Sequence, residues 1–497
     1  MIRNRLLYVI VFVVGAASLG AEIAVARLMA PFFGASTIVW ANTIGVVLVA
    51  LSVGYWLGGR LGDRHPHPRG LCLLVMGAAG LLAAVPFVAR PFLDTSVEAL
   101  DSVSAGAFVG SLIGVLFLVA VPVILLGACS PYAIRLTIPD VEHSGRTAGR
   151  LYAVSTAGSL VGTMLAALVL IPFAGTQRTF LGFALALALV AAAGLGWRFL
   201  AAPLALAAII AVPVGTVKPT DEGRVLYEDE TSLQYVRVIE QPDGDRVLEL
   251  NEGQTFHSLY RPGSYLTDGY WDGMLTLPFA ALTHEPRRVA ILGNAAGTTA
   301  RAYGHFFPNA KVEAVEIDPE LEEIGNRYFD MRSSPNLTVH SADGRPWLSR
   351  SDGGYDAIVV DAYRQPYIPF YMTTHEFFDL ARDRLAPSGA VVVNIGHPEG
   401  SDVLEAVIGK TMAEAFPSVL RDPIDHTNTL LAGSGTHASA RRLLAAADRL
   451  PGPLRLLAER EAHRVGPPLP GGEVYTDDRA PVEWLVDRSI LGYAADR

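Results

Sequence analysis

The chain has 497 residues, a formal net charge of −10 at pH 7 and a mean hydropathy of +0.33. That length implies more than one domain, and the acidic balance leaves no basic stripe to neutralise phosphates, which excludes nucleic acid as a partner. The only cysteines, Cys72 and Cys129, lie in apolar stretches, so neither a disulfide framework nor a metal-binding pair is indicated, and no metal is expected.

The apolar excess falls almost wholly before Lys218. Runs long enough to cross about 30 Å of hydrocarbon occur at 6–29, 38–58, 71–89, 108–129, 151–173 and 180–197, with a shorter one at 199–214. MIRNR ahead of the first run imitates a signal peptide, but the run continues without a cleavage site and further spans follow. Residues 1–218 are therefore predicted to form an α-helical transmembrane bundle of six to seven helices, with the lipid bilayer as its partner. Arg3 and Arg5, then Arg60, Arg64 and Arg69, then Arg135, Arg146 and Arg150 fall on one side if each run spans. The positive-inside rule makes that side cytoplasmic. Seven full crossings would deliver the rest of the chain to the other side, away from nucleotide pools. The seventh run is short and carries Pro203 and Pro213, which favours a re-entrant or interfacial segment and a cytoplasmic C-terminal part. Gly54 with Gly58, and Gly158 with Gly162, have the small-xxx-small spacing of close helix contacts. Packing within one bundle is the favoured use, and a homodimer is the other.

Beyond Lys218 the pattern changes. Stretches 233–240 and 246–251 alternate in strand fashion around Asp243-Gly244, a hairpin-turn dipeptide. Residues 219–283 are thus predicted as a β-hairpin subdomain followed by a gate loop, and 284–497 as an α/β domain. Residues 289–318 read as a strand, a small-residue turn from Gly293 to Gly297, a helix, and a second strand tipped by Glu316 and Asp318. That is the βαβ unit of a nucleotide-binding sheet, in which an acid about twenty residues past the turn suits a ribose diol. Further strands are predicted at 336–340, 355–360 and 390–395, and a helix at 376–385 closed by Pro387 and Gly389. Ligands in open α/β sheets sit beyond the carboxyl ends of strands. Gly293, Glu316, Asp343 and Asp361 all fall there.

The order of β-hairpin, VAILGNAAGTTA, VEAVEID, SADGRPWL and YDAIVVDAYRQPYIPFYMTTHEFF resembles the spermidine synthase (polyamine aminopropyltransferase) family. The preceding spans and the closing VYTDDRAPVEWL resemble its membrane-anchored bacterial branch. The resemblance covers most of residues 224–400. It implies a Rossmann-like fold of the methyltransferase superfamily for 284–497. It also implies a transferase that moves an aminopropyl group from decarboxylated S-adenosylmethionine to an amine such as putrescine, with no permanently bound cofactor. On it, Glu316 holds the ribose hydroxyls, Asp343 the adenine amino group, Gly293 and Gly297 the nucleoside loop, and Gln234 the nucleoside and its sulfur-linked arm. Asp361 matches the catalytic acid that takes a proton from the attacking amine, while Tyr270, Asp272 and Tyr363 match acceptor-binding or gate positions.

The departures are specific. Ala296 stands where the family keeps the Asp that holds the donor's amino end, and Arg364 or Gln365 replaces the second catalytic-loop Asp. Tyr270-Trp271-Asp272 replaces Y-H-E, and Gln254 and His257 are out of simple register. Asp268 or Asp272 is left as a substitute countercharge. Methyl transfer from S-adenosylmethionine, and a nucleoside-sensing domain on a transporter, remain the alternatives.

Overall fold

Lipid offers no hydrogen bonds, so an apolar chain crossing it must satisfy its own backbone, which helices do. The computed structural model describes residues 2–33, 37–103, 107–137, 144–212, 220, 223–231, 233–251, 256–363, 367–397 and 399–495. Two compact units result: Met1–Pro219 with Glu230–Tyr235, and Thr220–Asp229 with Val236–Arg497. Gln254, Arg364 and Gln365 lie outside the described residues.

The first unit contains α1 (Ile2–Phe33), α2 (Thr37–Arg64), α3 (Pro68–Val103), α4 (Ala107–Thr137), α5 (Ser144–Leu165), the single turn α6 (Ile171–Ala174), α7 (Thr176–Leu195) and α8 (Ala201–Ile210). Among the described residues, six helical stretches are long and apolar enough to cross a membrane, α5 running through a π-helical turn into α6 to make the fifth. They coincide with six of the predicted runs, and the seventh is the shorter apolar helix Trp197–Ile210. Outward-facing Leu48, Val49, Trp56, Phe117, Leu160 and Phe173 are all exposed, a surface suited to lipid rather than water. The paired glycines turn inward. A Cβ on Gly58 would sit 2.2 Å from the Ala128 carbonyl oxygen, and one on Gly162 would sit 2.1 Å from that of Ala16. These glycines seat α2 on α4 and α5 on α1.

In the second unit, β1 (Arg224–Glu230), β2 (Tyr235–Glu240), β3 (Arg246–Leu250) and β4 (Phe256–Tyr260) form a four-stranded sheet in sequence order. The predicted hairpin is its centre. Gly244 takes φ +89°, and the Asp243 carboxylate accepts the Asp245 N–H at 3.0 Å. The outer strands β1 and β4 lack clear alternation in the sequence and come from pairing with that centre.

The larger sheet holds β5 (Arg288–Leu292), β6 (Lys311–Glu316), β7 (Leu337–Ser341), β8 (Tyr355–Val360), β9 (Leu385–Gly396), β10 (Ser418–Pro423) and β11 (Asn428–Ser434). Their order is β10-β11-β9-β8-β5-β6-β7, with β11 antiparallel to both neighbours and the rest parallel. This is a mostly parallel α/β sheet, and β8, buried along its whole length, reads as a continuous apolar run for that reason. Helices α9 (Tyr270–Thr276), α10 (Thr298–Phe306), α11 (Pro319–Tyr328), α12 (Gly344–Arg350) and α13 (His375–Arg384) connect or flank its strands. One local expectation fails. Pro387 and Gly389 do not separate helix from strand: β9 starts directly at Leu385, and its register against β8 slips from Tyr355↔Leu385 to Ala357↔Ala390. The extra residues are absorbed as an irregularity, a site where Pro and Gly are tolerated.

Candidate active site

The turn after β5 is shaped by two glycines. Gly293, at φ +88°, donates its N–H to Val315 O at 2.9 Å, and a Cβ there would lie 2.5 Å from Asp361 O. Glycine is required on both counts, conformation and space. Gly297, at φ +92°, precedes α10, and a Cβ on it would meet Met331 Sδ at 2.5 Å. Between them, Ala295 holds φ +45° and donates its N–H to Glu316 Oε2 at 2.8 Å.

Glu316 ends β6 and is 8% exposed. Its other oxygen accepts the Asp318 N–H at 3.0 Å. Burial raises its pKa, an effect only partly opposed by those backbone donors. The carboxylate thus ties the glycine turn to the neighbouring strand and keeps spare lone pairs for hydroxyl donors. Asp318 is wholly buried and caps α11 through the Glu320 N–H at 3.2 Å. Asp343 follows β7, joined to the first acid through Ala342 N–H donating to Glu316 O at 2.9 Å. It caps α12, accepting Arg345 N–H at 3.2 Å, and its second oxygen accepts the Tyr371 hydroxyl at 2.8 Å.

Asp361 follows β8, its N–H bonded to Leu292 O at 2.9 Å. Asn394 Nδ2 donates to its Oδ1 at 2.9 Å, and the Tyr270 hydroxyl and Trp271 indole also donate to the carboxylate. Burial nevertheless dominates and pushes its pKa up to about 7. Asn394 is in turn oriented by Asn428, whose Nδ2 donates to Asn394 Oδ1 at 2.9 Å. The result is an acid poised near neutrality, fixed by three donors at the end of a rigid strand. That suits a general base.

Gly293, Glu316, Asp343, Asp361 and Tyr270 therefore converge along one edge of the sheet. Tyr363 and Asp272 are also engaged within the protein. The Tyr363 hydroxyl donates to Asn394 O at 3.0 Å and accepts Gly396 N–H at 2.6 Å, so it braces β9. Asp272 is 4% exposed and accepts from Thr267 N–H at 2.8 Å, Thr267 Oγ1 at 2.9 Å and Asp268 N–H at 2.8 Å. It shapes the turn that carries Tyr270 and Trp271 to Asp361. Asp272→Asn loses acceptors for those donors and is expected to cost about 1–3 kcal/mol of stability, read by thermal denaturation. Gln234 lies in the 231–234 turn, which packs with the helical unit.

Asp268 is surface-exposed and ion-paired with Arg261 at 2.7 Å, so neither candidate countercharge is idle. Ala296 is fully buried in an apolar cluster with Val236, Val238, Leu248, Leu321, Ile324 and Phe329. Its N–H donates to Ser258 Oγ at 2.9 Å. His257, read from the sequence as a loop residue, lies on β4, and burial lowers its pKa to about 4, leaving it neutral. Asn394, Asn428 and Trp271 were not anticipated. A polar residue near the end of the apolar run VVVN was the available signal for Asn394. Asn428 has none. Among the described residues no cluster of three or more His, Cys, Asp or Glu side chains is placed to hold a metal.

Residues 271–434 match the family model "Spermine/spermidine synthase domain". The chain is 31% identical over 295 residues to a probable polyamine aminopropyl transferase of Bifidobacterium longum, covering 55% of this chain and 65% of that protein. It is 33% identical over 123 residues to a polyamine aminopropyltransferase of Vibrio vulnificus, covering 24% of this chain and 41% of that protein. With the corresponding protein of Corynebacterium efficiens it shares 27% identity over 373 residues, 65% of this chain and 69% of the relative. The chain thus spans less than two thirds of the first two of these curated relatives. The α/β part, with the strand-end acids described above, is thus similar to a spermine/spermidine synthase domain and to proteins named polyamine aminopropyltransferases.

Proposed function

We propose that the chain is a membrane-embedded transferase that moves an aminopropyl group from decarboxylated S-adenosylmethionine to an amine. The observation that carries this reading is Asp361. It has a pKa near 7 and three directed donors, and it stands on the same sheet edge as Glu316 and Asp343. Glu316 would accept from the ribose hydroxyls, and Asp343 would face the adenine. The amine nitrogen attacks the methylene bonded to sulfonium. The new C–N bond forms as the C–S bond breaks, and methylthioadenosine leaves with the bonding pair. The amine's surplus proton passes to Asp361. Sulfonium is already a good leaving group, so the site's work is alignment and proton removal.

A second reading rests on Ala296. With that side chain turned into an apolar cluster, the glycine turn supplies no countercharge for the donor's ammonium. S-adenosylmethionine, with methyl transfer, is then the competing donor.

Calorimetric titration of the full-length protein with decarboxylated S-adenosylmethionine, S-adenosylmethionine and methylthioadenosine tests both. Binding of none of the three would sink the nucleoside site. Glu316→Ala is expected to weaken every nucleoside about 10–100-fold, the worth of hydrogen bonds to a charged acceptor. An unchanged affinity would remove Glu316 from the ribose.

A further inference from the structure

Within the α/β unit, the closing stretch VYTDDRAPVEWL reaches back to the segment that carries Asp343. Tyr475 is buried and donates its N–H at 3.1 Å to Thr411 Oγ1 on α14 (Val403–Ala415). Its carbonyl accepts the His375 N–H at 2.8 Å, at the start of α13. Thr476 and Arg479 then close a tight turn by exchanging backbone hydrogen bonds at 3.1 and 2.9 Å. Asp477 lies in that turn, and its own N–H donates to Glu376 Oε2 at 3.0 Å. One carboxylate oxygen accepts Arg345 Nη1 at 2.6 Å and the Thr374 hydroxyl at 2.7 Å, and the other accepts Arg345 Nη2 at 2.6 Å. Two parallel charge-assisted bonds of this kind fix orientation as well as distance. They also hold the Asp477 carboxyl below its usual pKa, so it stays ionised.

Arg345 stands two residues past Asp343 on α12. Besides Asp477, its Nη1 donates at 2.7 Å to the carbonyl of Tyr371, in the short helical turn Phe370–Met372. The Tyr371 hydroxyl donates in turn to Asp343 Oδ2 at 2.8 Å, while the Arg345 N–H occupies Oδ1 at 3.2 Å. The path is closed: Asp477 orients Arg345, Arg345 holds the backbone of Tyr371, and the Tyr371 side chain holds Asp343. A carboxylate that already accepts one donor on each oxygen is kept ionised and in one rotamer, with lone pairs left only for further donors. It suits the 6-amino group of a purine and repels a 6-oxo group, which presents an acceptor instead. Without the Tyr371 hydroxyl the carboxyl is free to turn or to take up a proton, and a protonated carboxyl donates to a 6-oxo group.

We infer that Tyr371 and Asp477 are positioning residues of the nucleoside site, a clasp that fixes Asp343 as the acceptor distinguishing a 6-amino from a 6-oxo purine. This rests on the reading above, in which Asp343 faces the adenine. Asp477 lies beyond residues 271–434, which match the family model, so the C-terminal turn adds to the site from outside the matched stretch. Neither residue touches the nucleoside's reacting carbon in this account. Both act through Asp343, and their effect is on which base is chosen.

The test is calorimetric titration of the full-length protein with methylthioadenosine and with methylthioinosine, its 6-oxo counterpart, alongside thermal denaturation of each variant. The wild type is expected to prefer methylthioadenosine. Tyr371→Phe should cut that preference by about tenfold or more, the worth of a hydrogen bond to a charged group. Asp477→Asn, which turns a donor toward Arg345, should cut it by about threefold or more through the weakened clasp. A lower melting temperature with both affinities reduced equally, and the preference intact, would mean a purely structural clasp and overturns the inference. Should Asp477→Asn fail to fold, Tyr371→Phe decides, because it removes a single oxygen from a half-buried ring. A wild type that binds both nucleosides equally overturns the adenine assignment of Asp343 and this inference with it, and one that binds neither sinks the nucleoside site itself. A wild type that discriminates, with variants that discriminate as well, overturns the clasp alone.

Discussion

Asp361→Asn is expected to lower turnover by about 10²–10⁴-fold, the usual worth of a positioned general base, while nucleoside affinity stays within a few-fold. The amide can still accept from Tyr270, Trp271 or Asn394, but it cannot take the amine's proton. The pH profile carries the same signature. Wild-type activity should rise as pH passes about 7, because only the ionised carboxylate accepts a proton. Stability runs the other way. The folded carboxyl titrates near 7, against about 3.9 for an unfolded Asp, so the native state holds the proton more tightly. Its stability contribution therefore falls as pH climbs through that interval. The substitution abolishes this loss, so its gain in melting temperature over wild type should be larger at pH 8 than at pH 5. Equal gains at the two pH values would place the titration elsewhere.

Ala296→Asp is expected to destabilise the protein by about 3–5 kcal/mol, the scale of an unpaired charge forced among apolar side chains. In family terms the substitution restores the donor-binding acid. In this structure it inserts a carboxylate beside Leu248, Leu321 and Phe329. The expected outcome is a large fall in melting temperature with no gain in affinity for decarboxylated S-adenosylmethionine over methylthioadenosine. A stable variant with a selective gain would mean that position 296 faces the ligand after all.

Part of the candidate site was legible in the sequence because its requirements are local. A strand must break at a glycine, and an acid must tip the next strand, so Gly293, Gly297, Glu316 and Asp343 could be named from spacing and resemblance. Asp361 was legible for the same reason, at the end of an unbroken apolar strand. The shell around it was not. Tyr270 and Trp271 reach Asp361 from a helix before the sheet begins and Asn394 from the next strand, while Asn428, on the antiparallel strand, holds Asn394. Those contacts are set by sheet order, which no local pattern encodes. Asp272 and Tyr363 were matched by position to the ligand, but tertiary packing commits both to backbone groups. Hydropathy likewise marked the spans of the helical unit.

The most direct test is product analysis by mass spectrometry on the full-length protein, given decarboxylated S-adenosylmethionine and putrescine. The predicted result is methylthioadenosine and aminopropylated amine in equal amounts, both lost in Asp361→Asn. The contradicting result is no product from that pair, with S-adenosylhomocysteine and a methylated acceptor formed from S-adenosylmethionine instead.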